Sequence, residues 1–566
     1  MSNLRSPGLG PIIGHTTDHS CCIWIRAAVS GDEGAVLASE NRTLGVIAIT
    51  HENKKKIKVP EVYYFRLKRE FDRTGIFNLG VDVGIGNKGT DASPSLEPDT
   101  EYIVKVGTLT VDDPFPDDES IPSENISNFL PNSRVWLDAL VNLNGQHTTA
   151  TFRTFPTGNA DQPLSFILGS CRYPGLLWKV KEADRIFSPV RRIALNGYNS
   201  EQHNWNHSTI SLDSCRFTLM VGDQIYADLL NRFIPLGRAD SYSEFQERYL
   251  TAFGSPNMKR LLASVPNYMI LDDHEIEDNW TQDRVKKSDK RTLFNMAINS
   301  YMSYQWSHSP RTFGRRLYYN FDCAGYPFFV LDTRTQRFIN QIKNDDRDNH
   351  MLGRPSLSTE DEPGQLERLL EWLQKQQDNI GDAPKFIVTS SVFTPNPISA
   401  RTNMDVAERE ASDSWPGFPN TRKEILKCII KHKIQNVIFL SGDIHCANVA
   451  KMRFNGSVAA EKLKSFSITS SAFYWPFPFA DGEPSDYVHN STAKNQKDTF
   501  KIERGLTMDY TAEGFTQDDN FCHISIDKAS HKIKVTAFNK VGEIICKTGR
   551  DGIERPLITT LDLAQW

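Results

Sequence analysis

Apolar and polar positions alternate in short runs over residues 1–157, and Gly, Pro, Asn and Asp fill the gaps between the runs. In one run Tyr102, Val104 and Val106 fall on the same face. Short alternating runs with turn residues between them are typical of antiparallel strands. We therefore expect an antiparallel β-sandwich in this region, with a long surface loop at 110–128, where Asp, Pro and Ser are frequent.

The pattern changes near residue 163, where continuous apolar runs replace the alternation. Each run is rich in β-branched or aromatic residues and breaks abruptly into polar residues. The seven runs are SFILGSC (165–171), RFTLMVGD (216–223), NYMILDDH (267–274), PFFVLDTR (327–334), KFIVTSS (385–391), NVIFLSGD (436–443) and SFSITSS (465–471). Such runs are typical of strands that are buried on both faces, as in a mainly parallel sheet.

Amphipathic helical patterns lie between several of these runs. QLERLLEWL (365–373) and TRKEILKCIIKH (421–432) each place four apolar residues on one helix face. The two sets are Leu366, Leu369, Leu370 and Leu373, and Ile425, Leu426, Ile429 and Ile430. Strands that alternate with helices indicate a layered α/β domain, which we place at 160–566. Alternation returns at 522–539, with a turn near 528–532, and predicts C-terminal antiparallel strands.

The formal net charge of -5 is small for 566 residues and lacks the basic excess of most nucleic-acid-binding surfaces. The densest basic cluster, Lys54, Lys55, Lys56 and Lys58, is better explained as a solvated strand end than as a binding patch. No apolar stretch is long enough to span a membrane. The N-terminal residues contain neither a signal-peptide core nor a twin-arginine pair, so we expect a soluble, cytoplasmic chain; a processed exported protein would show the same sequence.

Nine cysteines, an odd number spread over a long chain, do not form a disulfide framework, and we expect most of them to be reduced and buried. Cys171 differs because it directly follows a predicted strand. The insertion at 183–214 interrupts the alternation of strands and helices and contains His203 and His207. A helix would place both histidines on one face for metal binding. The Asn, Ser, Gln and Trp residues around them favour a solvated loop instead.

Chemically reactive side chains follow five of the predicted strands. In chain order they are Cys171 and Arg172, Asp223 and Tyr226, Asp272, Asp273 and His274, Asp332 and Arg334, and Asp443 and His445. A single aspartate after a strand is equally well explained as the N-cap of the next helix. Capping alone hardly explains five such ends together. Ligands of open α/β sheets bind beyond the carboxyl ends of the strands, which is where these side chains stand. The sequence therefore predicts one site at this edge.

The residue types at these strand ends match the needs of metal-assisted phosphoryl transfer. A phosphate ester repels an attacking hydroxide, and paired metals about 3.5–4 Å apart neutralise that charge and lower the pKa of bound water. Carboxylates bridge two metals, whereas thiolate and phenolate stabilise trivalent iron. The phosphate-binding sequence G-x-x-x-x-G-K-[ST] is absent, as is a nucleophilic Ser or Cys in a phosphatase-type loop. We therefore expect a metal-bound hydroxide to attack phosphorus directly.

Six motifs occur in the order in which they stand in a known enzyme family. They are GSC (169–171), GDQIYAD (222–228), DDHEIEDNW (272–280), LDTR (331–334), DSWPGF (413–418) and SGDIH (441–445). Over 160–480 this order resembles the PhoD-type alkaline phosphatases and phosphodiesterases, which belong to the calcineurin-like metallophosphatases and are similar to the purple acid phosphatases. The resemblance implies a four-layer α/β/β/α catalytic domain, preceded by an all-β domain of the immunoglobulin or fibronectin-like class.

The resemblance also implies two kinds of metal site. The ligands of a ferric ion would be Cys171, Asp223, Tyr226 and His445. Asp223 would bridge to a second, divalent metal, which is expected to be calcium, with one or two ions bound and other divalent metals as alternatives. The further ligands of that second site would be Asp273, Asp443 and Asn279.

Three further residues are expected to act on the phosphate. The family places a histidine that contacts phosphate and assists the leaving group at the position of His274. Arg172 and Arg334 are candidate phosphate clamps because a guanidinium fork binds two oxygens, and the alternative for each is surface pairing with Asp or Glu. Trp415 and Phe418 are expected in a loop near the pocket mouth, where they either touch the substrate or pack against the sheet.

We therefore expect a metal-dependent hydrolase of small phosphomonoesters or phosphodiesters. The first alternative is a phosphodiesterase that resembles phospholipase D and acts on lipid or nucleotide diesters. An alternative of another class is a non-catalytic binding protein on the same scaffold, because a fold alone does not establish a function. The chain departs from the family by showing no export signal and by a long insertion between Cys171 and Asp223, which bears on location and substrate more than on the chemistry.

Overall fold

The computed structural model of the chain forms two compact units. The residues that it describes are 3–28, 43–80, 93, 95–110, 130, 132–145, 147–175, 180–200, 209–229, 237–312, 314, 316–340, 347–355, 362–396, 414–477, 489–492, 498–549 and 551–566. The first unit consists of Met1–Thr157, Tyr249–Tyr268 and Asn299–Ser309, and the second of Gly158–Arg248, Met269–Ile298 and Pro310–Trp566. Two later segments of the chain thus belong to the first unit.

Two antiparallel sheets make up the N-terminal part of the first unit. The described strands are β1 (Asn3–Arg5), β2 (Leu9–Thr16), β3 (Cys21–Arg26), β4 (Thr43–Glu52), β5 (Lys55–Lys56), β6 (Val62–Arg66), β7 (Thr74–Leu79), β8 (Glu101–Thr110) and β9 (Thr149–Arg153), and the short helix α1 spans Leu137–Val141. The larger sheet has the order β1-β8-β4-β5, with β6 also paired to β4 and β9 to β8. The smaller sheet has the order β2-β3-β7.

The apolar faces of these two sheets pack against each other. Ile13 and Ile23 on the smaller sheet share one buried cluster with Ile47, Val104 and Val106 on the larger sheet. Val104 and Val106 point inward together because side chains two residues apart lie on the same face of a strand. The immunoglobulin or fibronectin-like class of this region stays a prediction.

The lysine cluster at 54–58 lies on the hairpin that joins β4 to β5, and all four lysines are exposed. Asn53 and Lys54 have φ angles of 46° and 65°, which is typical of a two-residue hairpin turn. This position fits the interpretation as a solvated strand end. Of the predicted loop 110–128, only Thr110 at the end of β8 is among the described residues.

The second unit contains the remaining strands, except for the first two residues of the strand Asn267–Ile270, and most of the helices. The strands are β10 (Leu164–Gly169), β11 (Tyr198–Asn199), β12 (Ser211–Leu212), β13 (Thr218–Val221), β14 (Asn267–Ile270), β15 (Tyr319–Cys323), β16 (Tyr326–Val330), β17 (Lys385–Val388), β18 (Val437–Ser441), β19 (Ala447–Asn455), β20 (Ser465–Ser470), β21 (Phe500–Glu503), β22 (Leu506–Thr516), β23 (Asn520–Asp527), β24 (Lys532–Asn539), β25 (Cys546–Thr548), β26 (Glu554–Pro556) and β27 (Ile558–Asp562).

The described helices after α1 are α2 (Val180–Arg185), α3 (Phe187–Asn196), α4 (Tyr242–Gly254), α5 (Pro256–Leu262), α6 (Ser288–Tyr304), α7 (Gln365–Ile380), α8 (Pro419–Lys431) and α9 (Val458–Glu461). Helix α5 and the C-terminal ends of α4 and α6 belong to the first unit. None of the helices in the described part of the chain is long and apolar enough to cross a membrane.

All seven continuous apolar runs form strands, and these strands are divided between two mixed sheets. One sheet has the order β14-β13-β10-β23-β24-β27 and the other β15-β16-β17-β18-β20-β19-β22-β21. Strands β10 and β13 are parallel, as are β16, β17, β18 and β20. The later strands pair antiparallel and include the hairpin of β23 and β24, which confirms the prediction at 522–539.

The two mixed sheets pack face to face through aromatic side chains. Phe166 on β10 contacts Phe328 on β16 and Phe386 on β17, with ring centroids 5.6 and 5.9 Å apart and the rings nearly perpendicular. Edge-to-face contacts of this kind are favourable because the ring edge is positive and the ring face negative. Helix α3 packs against β10. Both faces of β10 are therefore covered, which explains why its sequence shows no alternation.

Helices α7 and α8 cover the outer face of the eight-stranded sheet. Leu369 and Leu373 of α7 lie in one buried cluster with Ile425 and Ile429 of α8 and with Phe439 of β18. Helix α8 begins with a proline, whose fixed φ and missing N–H suit the first turn of a helix. Both helices that the apolar spacing predicts are thereby confirmed.

Trp415 and Phe418 are core residues. Both are fully buried in the cluster that α7 and α8 form with the sheet. The Trp415 indole N–H donates to Thr389 Oγ1 at 3.1 Å, and its ring contacts that of Phe393. Of the two alternatives for these aromatic residues, the structure shows packing against the sheet.

A glycine lets strand ends from the two mixed sheets approach closely. A Cβ on Gly442, which follows β18, would lie 2.2 Å from Ser170 Oγ after β10 and 2.8 Å from Val221 O at the end of β13. These distances leave no room for a side chain, so the position requires glycine. The loops that follow β10, β13 and β18 therefore meet at one edge of the unit.

Candidate metal centre

Five of the seven predicted metal ligands have a left-handed backbone conformation. The φ angles are 56° at Cys171, 54° at Asp223, 55° at Asn279, 75° at Asp443 and 51° at His445. Positive φ is uncommon for residues other than glycine and costs on the order of 1–3 kcal/mol where the surroundings hold it. The strand ends thus turn sharply directly at the donor residues, and such strained positions are typical of functional sites.

A first group of donor atoms combines Cys171, Asp223, Tyr226 and His445. Cys171 Sγ lies 3.3 Å from Asp223 Oδ2. The Tyr226 hydroxyl lies 3.3 Å from the same oxygen and 3.4 Å from His445 Nε2. All four residues are buried. The structure therefore brings together the four residues that the sequence predicts as ferric ligands.

A second group consists of three carboxylates. Ligand oxygens of Asp272, Asp273 and Asp443 lie within 4.8 Å of one another. Asp223, Asp273 and His274 form another group with the same spacing, and Asp223 also belongs to the group with Cys171. Asp223 thus connects the two groups, as a carboxylate that bridges two metals would.

Among the seven predicted metal ligands, three buried atoms have no hydrogen-bond partner in the described part of the chain. They are Asp223 Oδ1, Asn279 Oδ1 and His445 Nδ1. Nearly all buried polar atoms in proteins are hydrogen-bonded, and an unpaired one is costly. Carboxylate, amide oxygen and imidazole nitrogen are all metal-binding atom types. The residues present therefore fit metal ions.

Burial shifts the pKa of every donor in the first group in the direction that favours the neutral side chain. It raises the pKa of the Cys171 thiol to about 12. Burial, together with Cys171, holds the pKa of Asp223 well above its usual range. Burial likewise raises the pKa of Tyr226 and lowers that of His445 to about 3. A bound cation reverses the shifts of the acids, because it stabilises thiolate, carboxylate and phenolate, and it binds the imidazole in its neutral form.

A buried carboxylate holds His274. Its Nδ1 lies 2.6 Å from Asp228 Oδ1, and the second oxygen of Asp228 accepts the backbone N–H of Asp278 at 2.6 Å. Burial opposes a charge on His274, but neighbouring carboxylates, that of Asp228 foremost, outweigh burial and raise the pKa of His274 well above its usual value. The imidazole is therefore fixed in orientation and favoured in its protonated form.

Arg334 lies within the second group and is fully buried. Its Nε donates to Asp272 Oδ1. Its Nη2 lies 3.5 Å from Asp273 Oδ1 and 3.6 Å from Asp443 Oδ1. Of the two interpretations from the sequence, the structure shows pairing with aspartate, but the pair is buried and adjoins the candidate ligands. The guanidinium thus compensates the charge of the clustered acids.

Arg172 is also buried. Its guanidinium carbon lies 5.6 Å from the centre of the Phe187 ring on α3. Burial lowers the pKa of Arg172 to about 10, although Asp184 on α2 opposes this effect. Its backbone N–H donates to the carbonyl oxygen of Asp223 at 2.9 Å, which ties the loop after β10 to the loop after β13. A contact of Arg172 with phosphate stays a prediction.

The aspartate at the remaining strand end, Asp332, caps its own turn. Its Oδ1 accepts the backbone N–H of Arg334 at 3.1 Å and that of Thr335 at 2.8 Å. Asp332 therefore stabilises a turn, although no helix begins there for it to cap as the N-cap interpretation expected. The histidine pair of the insertion, His203 and His207, lies outside the described residues.

The arrangement can be compared with known proteins. A family model of the PhoD-like phosphatases matches residues 196–518, which is more than half of the chain. The chain belongs to the PhoD-like phosphatase family. The matched segment includes the donors from Asp223 to His445, whereas Cys171 and Arg172 precede it.

Relatives of this PhoD-like chain include alkaline phosphatase D of Bacillus subtilis (strain 168), which is 23% identical over 235 residues. That match covers 39% of this chain and 38% of the relative, so the chain spans about two fifths of the curated relative that it matches. The solved structure of PhoD gives a TM-score of 0.60 at 15% identity and covers 94% of this chain and 86% of PhoD. A purple acid phosphatase from yellow lupin (Lupinus luteus) seeds gives a TM-score of 0.49 at 10% identity, with 98% and 74% covered. The likeness to PhoD shows that the chain has the PhoD fold.

Glu275 connects two loops of this PhoD-like site. Its fully buried carboxylate accepts the backbone N–H groups of Asp223 at 3.2 Å, Gln224 at 2.7 Å and Asp272 at 2.9 Å. These donors follow β13 and β14, which are neighbours in the smaller of the two mixed sheets. Hydrogen bonds to an ionised acceptor are about twice as strong as neutral ones. Glu275 therefore fixes the backbone at two candidate ligand loops.

Replacing Glu275→Gln is expected to destabilise the protein by about 1–3 kcal/mol, because the amide group presents a donor where a buried N–H needs an acceptor. Urea unfolding at neutral pH measures the change. Glu371→Gln, on the exposed face of α7, is the matched control and is expected to change stability by less than about 0.5 kcal/mol. Equal unfolding midpoints for the two variants would contradict the role of Glu275.

The sequence interpretation assigned no role to several residues that support the site. Asp228 and Glu275 stand inside the motifs GDQIYAD and DDHEIEDNW. Their position in the sequence beside the candidate ligands is a signal from which a supporting role could have been predicted. Ser471, which follows β20, donates to Cys171 Sγ at 3.0 Å and accepts the backbone N–H of His445 at 3.0 Å. Its place beside Cys171 depends on the pairing of distant strands, which the sequence does not reveal.

Proposed function

We propose that the chain is a metal-dependent phosphoesterase that hydrolyses small phosphomonoesters or phosphodiesters. The observation that supports this most is the meeting of acid, thiol, phenol and imidazole donors at strand ends, with three buried donor atoms left without partners among the described residues. Membership of the PhoD-like phosphatase family supports the same reaction class. A binding protein on this scaffold has no need for so many strained and unpaired donor positions.

The proposal assigns the seven predicted ligands to two kinds of metal site. Residues that would hold a ferric ion are Cys171, Asp223, Tyr226 and His445. Residues that would hold one or two calcium ions, or another divalent metal, are Asp223, Asp273, Asp443 and Asn279. Thiolate and phenolate suit trivalent iron, whereas carboxylate and amide oxygens suit calcium. Bound there, the metals supply Lewis acidity toward phosphate oxygens and a water of lowered pKa.

His274 is proposed to donate a proton to the leaving alcohol. Asp228 occupies Nδ1 of the imidazole, so Nε2 is the nitrogen that remains for the ester oxygen. Burial opposes the charge on His274, but neighbouring carboxylates, that of Asp228 foremost, raise its pKa and so favour the protonated ring that a general acid requires. Asp228 is then a positioning residue, because it acts through His274.

The two arginines are proposed to have different roles. The guanidinium of Arg334 is surrounded by Asp272, Asp273 and Asp443, which supports a positioning role for Arg334 in place of direct phosphate binding. Arg172 is proposed to contact the phosphate. We also propose a four-layer α/β/β/α catalytic domain at 160–566 and an immunoglobulin or fibronectin-like class for residues 1–157.

Hydrolysis of bis(4-nitrophenyl) phosphate and of 4-nitrophenyl phosphate, measured side by side at neutral to alkaline pH with calcium present, tests the proposed activity. Release of 4-nitrophenol from at least one ester is the expected result. An excess on the diester would identify a phosphodiesterase, and an excess on the monoester a phosphatase. Hydrolysis of neither ester, in protein shown to contain metal, would overturn the proposal and favour the binding-protein alternative.

The ferric assignment predicts a visible absorption band from charge transfer between the Tyr226 phenolate and iron. Protein reconstituted with ferric iron is expected to be coloured, and Tyr226→Phe is expected to lose most of the band because the phenolate oxygen is gone. Tyr173→Phe is the matched control, since Tyr173 contacts the Tyr226 ring at 5.2 Å but belongs to neither donor group. A band that survives in Tyr226→Phe would show that Tyr226 is not a ligand.

Asp228→Asn is expected to lower kcat about 10- to 100-fold with a small change in KM, because the imidazole loses its charged partner. Asp378→Asn, at an exposed position on α7, is the matched control. In a double-mutant cycle with His274→Ala, the effects of the two substitutions should overlap strongly rather than add. Additive effects would show that Asp228 does not act through His274.

A further inference from the structure

Aromatic side chains form a continuous wall in the second unit. The aromatic wall consists of Tyr173, Tyr226, Trp475 and Phe477. The Tyr173 ring centroid lies 5.2 Å from that of Tyr226, 5.5 Å from that of Trp475 and 5.2 Å from that of Phe477. The Trp475 and Phe477 centroids are 5.0 Å apart. These distances are typical of favourable aromatic contacts.

The aromatic wall is attached directly to the candidate metal centre. The Trp475 ring is stacked on the His445 imidazole, with centroids 3.6 Å apart and planes 9° from parallel. Tyr226, itself a candidate ligand, lies against His274 with centroids 4.3 Å apart. The wall therefore contacts both imidazoles of the site, and a group bound next to it would lie beside a phosphate held by the metals.

One end of the aromatic wall remains partly accessible. Tyr173 and Tyr226 are buried, whereas Trp475, Phe477 and the adjoining Leu229 are only half-buried. Specific ligand sites are typically lined by apolar and aromatic side chains beside a few polar groups. The accessible part of the wall beside the buried donors has this composition.

Hydrogen bonds of the backbone hold the aromatic wall in place. The N–H of Trp475 donates to Asp519 Oδ1 at 3.1 Å, and the second oxygen of Asp519 accepts from Lys540 Nζ at 3.0 Å. The N–H of Tyr173 donates to the carbonyl oxygen of Tyr474 at 3.1 Å. These hydrogen bonds fix the backbone from which the wall side chains project, so binding there requires little ordering of the chain.

We propose that the aromatic wall binds an apolar group esterified to the phosphate, and that the chain therefore prefers phosphodiesters that carry such a group. The inference rests on the proposed phosphoesterase function and names its substrate class. In hydrolysis, water adds to phosphorus while the bond to the leaving alcohol breaks and that alcohol takes up a proton. The apolar group is the other ester group, which stays on the product. Phe477 is then a specificity-determining residue.

Two diesters with the same leaving group test this inference in the metal-loaded protein. Phenyl 4-nitrophenyl phosphate and methyl 4-nitrophenyl phosphate differ only in the ester group that stays on the product. We expect kcat/KM to be about tenfold higher for the phenyl ester, because stacking and burial of its ring against the wall stabilise the bound ester by that factor. Phe477→Ala is expected to lower this ratio at least threefold without changing the metal content. Phe71→Ala, at a half-buried position of the first unit, is the control and should keep the ratio.

A ratio near one in the unmodified protein would overturn the inference. So would an equal loss on both esters in Phe477→Ala, since this would mean that the wall only supports the fold. Trp475 is not used for the variant because it also covers His445.

Calorimetric binding of phenylphosphonate and methylphosphonate separates this inference from the proposed function. We expect phenylphosphonate to bind about tenfold more tightly, and Phe477→Ala to reduce that difference. If the protein hydrolyses neither diester yet keeps the binding preference, the proposed function fails while the aromatic wall keeps its assigned ligand class. If it hydrolyses both diesters equally and binds both phosphonates equally, the function stands and the wall proposal fails.

Discussion

Asp223→Asn and Asp443→Asn are each expected to lower phosphoester hydrolysis about a thousandfold, which corresponds to about 4 kcal/mol of transition-state stabilisation. Each substitution keeps the size of the side chain but replaces a charged metal-binding oxygen with a neutral amide. Asp223 lies in one cluster with Cys171 and His445 and in another with Asp273 and His274, so its loss should remove metal from both proposed sites. Asp443 belongs to the carboxylate group alone, so its loss should remove mainly the divalent metal.

Metal analysis of the purified variants measures this difference together with the rates. Asp378→Asn, an exposed change on α7, should keep both the activity and the metal content of the unmodified protein. Full activity in Asp223→Asn or Asp443→Asn would place the reaction elsewhere in the chain. Retention of iron in Asp443→Asn, combined with its loss in Asp223→Asn, would support the assignment of separate sites.

Arg334→Met is expected to destabilise the metal-free protein by about 3–5 kcal/mol. Removing one partner of a buried ion pair leaves an uncompensated charge, and here the partner Asp272 is fully buried. Asp273 and Asp443 would also lose the cation that lies 3.5 and 3.6 Å from their oxygens. Calcium should recover part of the lost stability, because a bound cation neutralises the same carboxylates.

Urea unfolding with chelator and with calcium measures both effects. Arg311→Met removes an exposed arginine of the second unit and should change stability by less than about 0.5 kcal/mol. If Arg334 instead bound phosphate directly, its replacement would raise KM and leave stability close to that of Arg311→Met. That outcome would restore the phosphate-clamp interpretation of Arg334.

Most of the candidate ligands stand within a few residues of a strand that is visible in the sequence as an apolar run, which is why the sequence singles them out. The sequence predicts that the carboxyl ends of the strands share one edge, which places Asp223 after β13 near Asp443 after β18. The two strands lie in different mixed sheets, so their closeness depends on how the sheets pack. Asp332 stands in the same kind of position but caps its own turn. Position after a strand thus identifies candidates, whereas the direction of the side chain decides between ligand and cap.

The environment of Arg334 could not be predicted from the sequence. Its partner Asp272 follows a strand in the other mixed sheet, 62 residues away along the chain. Nothing in the local pattern reveals which strand ends of two packed sheets face each other. The same holds for Trp475 and His445, whose stacked rings come from different loops. Apolar periodicity determines where strands and helices lie, whereas contacts between the sheets depend on the three-dimensional packing.

The division of the chain into two units shows a similar limit. The change of pattern near residue 157 marks the end of the N-terminal strands. The first unit also contains Tyr249–Tyr268 and Asn299–Ser309, which lie inside the α/β part of the sequence. These segments include α5 and the ends of α4 and α6, and their helical patterns do not indicate which unit they join.

The most direct test of the central claim is one chelation experiment on the unmodified protein. Hydrolysis of bis(4-nitrophenyl) phosphate and of 4-nitrophenyl phosphate, together with the bound metal content, is measured before chelation, after chelation, and after iron and calcium are restored. We predict hydrolysis that disappears when the metals are removed and returns when both are added back. Hydrolysis that continues at an unchanged rate in metal-free protein would contradict a metal-dependent phosphoesterase at this site.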